Sequence, residues 1–147
     1  MTEENTENFN ALVAALSEAT GETLAMEDGK VLFALDEELG VAIVPADAED
    51  AGVDVAVATI FLGPAPDDKE VLTFLLEQNY LGVGAGDGSF ALEHETGALV
   101  LYRMFPLPFD PSEFVDAFGR LAGAARAARA RIKGVAEPES GFDKILI

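Results

Sequence analysis

The sequence has no cysteine, no tryptophan, a single histidine, and only nine lysines and arginines against 27 acids. Without cysteine there can be no disulfide, no thiolate metal site and no cysteine nucleophile. A lone histidine, His94, excludes a multi-histidine metal centre. The scarcity of positive charge leaves a formal net charge of −18. Such a surface repels phosphate backbones and anionic lipid, which disfavours nucleic-acid and membrane-surface functions. Long hydrophobic runs are also missing. The longest apolar stretch, Val55 to Ala65, falls short of the roughly 20 residues a membrane-spanning helix needs. The N-terminus, Met1 to Asn8, is acidic and polar, the opposite of a secretory signal, so the sequence predicts a soluble cytoplasmic protein.

What is present is a core-forming chain. Half of the 147 residues are apolar, enough for one domain with one hydrophobic core and too many for intrinsic disorder. Phe9, Leu12, Val13, Leu16 and Ala19 recur at helical spacing, capped by Asn5 or Thr6 and ended by Gly21. A strand-rich block follows. Thr23–Met26 reads as a strand, Glu27-Asp28-Gly29-Lys30 as a hairpin turn, then Val31–Leu35 and Leu39–Val44 as strands. Pro45 to Gly52 reads as an acidic loop, and Val53–Leu62 as a long strand closed by Gly63-Pro64-Ala65-Pro66. Asp67 and Asp68 open a second helix with Val71, Leu72, Leu75 and Leu76 on one stripe and Phe74 on its flank. The glycines from Gly82 to Gly88 form a flexible turn into Ser89–Glu93, and Ala98–Phe105 is the last strand. Asp110 as N-cap, Pro111 and Glu113 then start a final helix that runs to about Ile132.

These elements define an α+β fold: a mostly antiparallel sheet of five to six strands with three helices, in the order α-βββ(β)-α-ββ-α. The domain spans residues 1–133, and residues 134–147 form a C-terminal tail. Val31–Leu35, Val41–Val44 and Val55–Leu62 are apolar at successive positions, whereas a half-solvated strand alternates. Three helices hardly cover both faces of such a sheet, so a second copy or a partner covers the remainder.

Catalytic signatures are weak. His94 sits between Glu93 and Glu95 at a strand end, where an exposed turn residue is the ordinary reading. The glycine cluster follows a helix and precedes a strand, the reverse of a phosphate loop, and lacks the Gly-Lys-Ser/Thr such loops carry. Asp47, Glu49, Asp50 and Asp54 are a weak calcium candidate that does not match an EF-hand spacing, and a solvated acidic loop is the better account. No cofactor and no metal site is implied.

Taken in order, three stretches resemble the Tir chaperone (CesT) family of type III secretion chaperones. Leu24-Ala-Met-Glu-Asp-Gly-Lys-Val-Leu-Phe-Ala-Leu-Asp36 with Leu39–Val44 is similar to its turn-linked early strands. Leu62-Gly-Pro-Ala-Pro66 is similar to its exit into helix two. Leu75-Leu-Glu-Gln-Asn79, Gly82 to Gly88, Phe90-Ala-Leu92, Gly97–Leu101 and Phe105-Pro-Leu107 resemble its leucines-then-Asn, glycine turn and final strand pair. Phe105 stands where the family usually has leucine, and the Ala- and Arg-rich last helix and the tail have no clear counterpart. The resemblance implies a homodimer with a mixed sheet and three helices per subunit. It also implies ATP-independent binding of the N-terminal segment of a secreted effector protein, by groove docking and strand addition. It assigns partner binding to Phe9, Leu12, Leu16, Leu24, Leu32 and Ile43, and the dimer interface to Leu72, Leu75, Leu76, Val100 and Tyr102. Monomer core is the competing role for each of these. Two other readings stay open: a dimeric regulator or scaffold of the same fold, and a small hydrolase or isomerase built on Glu93, His94 and Glu95.

Overall fold

The computed structural model describes residues 1–36, 38–48 and 52–136. The elements are α1 (Glu3–Thr20), β1 (Val31–Ala34), β2 (Gly40–Ala48), β3 (Val53–Pro64), α2 (Lys69–Gln78), a 3-10 segment (Tyr80–Ala85), β4 (Ser89–Leu92), β5 (Ala98–Pro106) and α3 (Pro111–Ala136). The strands form one sheet in the order β1-β2-β3-β5-β4. Every neighbouring pair is antiparallel, so the sheet is not mixed.

The helices start and stop where local chemistry dictates. Thr2, not Asn5 or Thr6, caps α1: its hydroxyl accepts the Asn5 N–H, and Glu3 and Glu4 follow in the first turn. Gly21 ends that helix at φ 76°, a left-handed conformation that costs glycine little. Asp68 caps α2 through the Val71 N–H, and the Asp110 carboxylate accepts the N–H groups of Ser112 and Glu113 at the start of α3. The last helix continues to Ala136, four residues beyond the expected Ile132.

Two strand expectations are corrected. Thr23–Met26 is not a strand; only an isolated bridge joins Glu27 and Lys30 around their turn. Ser17 explains this, because its hydroxyl binds the Glu22 carbonyl and accepts the Leu24 N–H, holding the segment to the end of α1. The expected loop from Pro45 instead continues β2 as far as Ala48, paired with Val53 to Ala56. The first part of the expected acidic loop is therefore strand; Glu49, Asp50 and Ala51 lie outside the described residues, as does the 137–147 part of the tail.

The core lies on one face of the sheet. Val31, Val41, Ile43, Ala56, Ala58, Ile60, Leu101 and Phe105 of the strands meet Phe9, Leu12 and Leu16 of α1 and Phe114, Phe118 and Leu121 of α3. Val71 and Leu75 of α2 join the same cluster. Phe105 packs edge-on against Phe109 and Phe114, with centroids 5.1 and 4.9 Å away, a geometry in which ring edges meet π faces favourably.

Candidate interaction surface

Side chains alternate across a strand, so the register fixes which residues share the sheet's other face. One row reads Leu32, Ala42, Thr59, Tyr102, Ser89, and a second reads Ala34, Gly40, Phe61, Val100, Ala91. A third holds Val44, Val57 and Met104, and a fourth Ala46, Val55 and Pro106. None of these sixteen positions is charged, in a chain where charged residues make up 24%. Leu32 is 61% exposed, Met104 56% and Phe61 38%. Val55 and Val100 are buried but stand outside the core cluster beneath the helices. The strands lie about 4.8 Å apart, β2, β3 and β5 with nine to twelve residues and β1 and β4 with four, and the sixteen positions present a footprint of roughly 500 Å². A contiguous apolar face of that size marks an interaction site.

A second exposed apolar group lies at the end of α2. Leu76, Tyr80, Leu81 and Val83 are each at least 70% exposed. Leu81 holds φ at 56°, a left-handed conformation that is strained for a bulky side chain. What fixes this projection is the glycine stretch behind it, which is not the flexible turn expected from sequence. A Cβ on Gly86 would stand 2.6 Å from the Arg120 carbonyl oxygen and 2.8 Å from the Leu121 Cα; one on Gly88 would stand 2.5 Å from the Tyr102 carbonyl oxygen. The glycines let the loop backbone lie directly on α3 and β5. Asp87 tightens the seat, with Arg120 Nε at 3.6 Å and Arg103 Nη1 at 4.0 Å.

Asn79 supplies the other anchor. Its amide donates to the Phe90 carbonyl at 3.0 Å and accepts the Phe90 N–H at 2.7 Å, so a side chain pairs with the edge strand β4 as another strand would. Asn8 does the same for Phe109 at 2.9 Å in both directions, joining α1 to the entry of α3.

The basic residues of α3 have a role beyond complementing the helix dipole. Arg126 Nε lies 3.5 Å from Asp36, Arg129 Nε 3.5 Å from Glu38, and Lys133 Nζ bonds Glu38. Arg129 also donates to the Leu62 carbonyl at 3.1 Å, and Arg131 stacks over Phe74. The β1–β2 turn is thus stapled to α3. The Glu38 N–H holds the Asp36 carboxyl below its usual range, and the Lys133 ammonium does the same for Glu38. The sequence shows an Arg-rich last helix but not the targets of its basic side chains, since a pairing about 90 residues apart in sequence leaves no local pattern.

The sequence-assigned residues divide. Phe9, Leu12, Leu16, Ile43 and Leu75 are monomer core. Leu24 is half-buried against that core, and Leu32 is exposed on the uncharged face. Tyr102 and Val100 lie on that face, while Leu72 and Leu76 are exposed on α2. At the proposed catalytic cluster, the Glu93 carboxylate accepts from the Glu95 N–H and from the Thr96 N–H and hydroxyl. These bonds hold its pKa below the usual range, with the Thr96 hydroxyl the largest cause, and commit the group to shaping the turn. Among the described residues no cluster of three metal-ligating side chains occurs, and no helix is long and apolar enough to cross a membrane.

An antiparallel five-stranded sheet with three helices on its core face and an uncharged opposite face defines a binding protein of the secretion-chaperone architecture. The sequence matches the Tir chaperone protein (CesT) family over residues 11–129, and the chain belongs to that family. No curated protein matches the sequence. Solved structures give the same fold. The heterodimeric complex ExoU-SpcU from the type III secretion system of Pseudomonas aeruginosa contains a chain 19% identical, with a TM-score of 0.61 over 86% of this chain and 98% of that one. A chain of the ExsC-ExsE complex is 15% identical, with a TM-score of 0.65 over 88% and 96%. A chain of the HopA1-SchA chaperone-effector complex is 14% identical, with a TM-score of 0.65 over 88% and 99%.

Proposed function

We propose that this chain is a cytoplasmic, ATP-independent chaperone that acts as a homodimer and holds the N-terminal segment of a type III secreted effector. The observation that carries the reading is the uncharged sheet face on a chain of net charge −18. A second copy covers that face. It supplies the same uncharged surface, led by the exposed Leu32, Phe61 and Met104, and a face of roughly 500 Å² provides most of the ~800 Å² that each partner contributes to a stable interface. Family membership and the chaperone-effector complexes among its structural relatives supply the class of partner. The chemistry required is non-covalent: apolar surface takes up an unfolded segment, and the acidic exterior keeps the complex soluble. Nothing in this mode of binding calls on a nucleophile or general base, and the committed Glu93 carboxylate fits a non-enzyme.

Deleting the gene in its host tests the function. One secreted protein should disappear from the culture supernatant and return on complementation. An unchanged secretome would contradict the proposal and favour a regulator or scaffold of the same fold.

A further inference from the structure

With no cysteine in the chain, its only sulfur atoms are the thioethers of Met1, Met26 and Met104. Methionine ordinarily ranks with leucine and phenylalanine among the most buried residues. Here none of the three stands in the core cluster. Met104 is 56% exposed, and Met1 and Met26 are each 41% exposed. Met1 and Met26 border a small notch beside Phe9, whereas Met104 lies on the uncharged sheet face.

The outline of the sheet explains why Met104 is open. β4 pairs with β5 from Leu99 to Tyr102 and goes no further. Met104, two residues beyond Tyr102, therefore has a strand beside it on one side only, with Val57 directly opposite. Its row holds Val57 and Val44, whose side chains have no hydrogen-bond donor. An unbranched thioether in such a row adapts to an apolar counter-surface. It is also the one group on this face that a mild oxidant converts from apolar to polar.

We infer that Met104 is a redox-sensitive site, at which oxidation of the thioether to the sulfoxide dissociates the dimer that uses this face. The oxidant is a peroxide. Its O–O bond breaks, one oxygen bonds to sulfur, sulfur gives up two electrons, and the peroxide is reduced to water. The sulfoxide oxygen is a hydrogen-bond acceptor in a row that offers it no donor. On a lone subunit water satisfies it; against a second copy it is buried without a partner. That burial weakens an interface by about 10- to 100-fold, and a two-fold contact meets it in each copy. The inference rests on the reading that a second copy covers the uncharged face, and it adds a chemical condition under which that contact is lost. Because the contact shields Met104, the lone subunit is the form that oxidises.

The test uses full-length protein, dilute hydrogen peroxide, peptide mapping by mass spectrometry to locate each sulfoxide, and sedimentation across a dilution series. Oxidation should raise the dimer dissociation constant at least ~100-fold. Methionine sulfoxide reductases for the two epimers should restore it. Met104→Leu should dimerise as untreated wild type does and ignore peroxide, although Met1 and Met26 still oxidise. Met104→Gln, polar and uncharged, should weaken the dimer without any oxidant. Met104 should also oxidise more slowly as protein concentration rises through the dimerisation range, while Met26 should not. Thermal melts of the oxidised protein should show an intact fold, since the side chain is exposed on a lone subunit. A dimer unmoved by Met104 oxidation, a Met104→Leu dimer that peroxide still breaks, an oxidised chain that unfolds, or a Met104 oxidation rate independent of concentration would overturn the inference. A dimer unmoved by oxidation leaves the second-copy reading standing, whereas an untreated chain that is monomeric overturns both.

Discussion

Met104 offers a direct probe of the uncharged face. It sits beside Val57 in the register and is 56% exposed, so Met104→Glu adds a carboxylate that one subunit alone leaves in water. The stability of a lone subunit should change by less than about 0.5 kcal/mol, as for ordinary surface substitutions. In the proposed dimer the same carboxylate would be buried against Val, Thr, Tyr and Met side chains with no cation on the face to pair it. An unpaired charge at an interface costs about 3 kcal/mol. A two-fold interface repeats the cost in each copy, for roughly 6 kcal/mol in all, or about a 10⁴-fold weaker dimer. Analytical ultracentrifugation across a dilution series reads this directly. Wild-type protein should sediment as a dimer at micromolar concentration and Met104→Glu as a monomer, with Ser112→Glu on the exposed side of α3 as the unchanged control. A wild-type monomer, or an equally tight Met104→Glu dimer, would show that the second copy does not sit on this face.

Other outcomes follow from the anchors. Asn79→Ala removes two hydrogen bonds to the Phe90 backbone, and urea unfolding should show a loss of about 2 kcal/mol. Gly86→Ala forces a Cβ to 2.6 Å from backbone at a positive φ; it should cost about 3 kcal/mol and be worse than Gly119→Ala, whose Cβ meets open space. Asp36, Glu38, Asp54, Glu93 and Asp110 all have lowered pKa values. The unfolded chain therefore binds more protons at these groups, and their contribution, present at neutral pH, is lost as pH falls below about 4–5. At about 0.15 M salt, where long-range repulsion is screened, the melting temperature should fall in that window, and Glu38→Gln should flatten part of the fall. His94→Ala should leave partner binding and stability unchanged, as measured by calorimetry.

Much of the fold was readable because local signals agree with tertiary structure. Gly21, Asp68 and Asp110 end or cap their helices as their residue types require, and the apolar runs of β1, β2 and β3 are strands. The errors arose where a distant partner decides the outcome. Asp47 looks like loop material, yet pairing with Asp54 extends β2 past Pro45. Leu24-Ala-Met26 looks like a strand, yet Ser17 holds it to α1. For the site, strand alternation tells which residues share a face but not which face the helices occupy. Ile43 and Leu32 therefore look alike in the sequence, although one is core and the other is on the uncharged face. The clustering of glycines was visible at once. Its purpose, contact with α3 and β5, needed the third dimension.

The central claim is most directly tested by purifying the tagged protein from its host while secretion is active, trimming the complex with protease, and weighing it by native mass spectrometry. The account predicts two copies of this chain with one partner fragment that comes from the N-terminus of a secreted protein. A chain recovered alone as a monomer, or bound to the folded body of a protein that never leaves the cell, would contradict it.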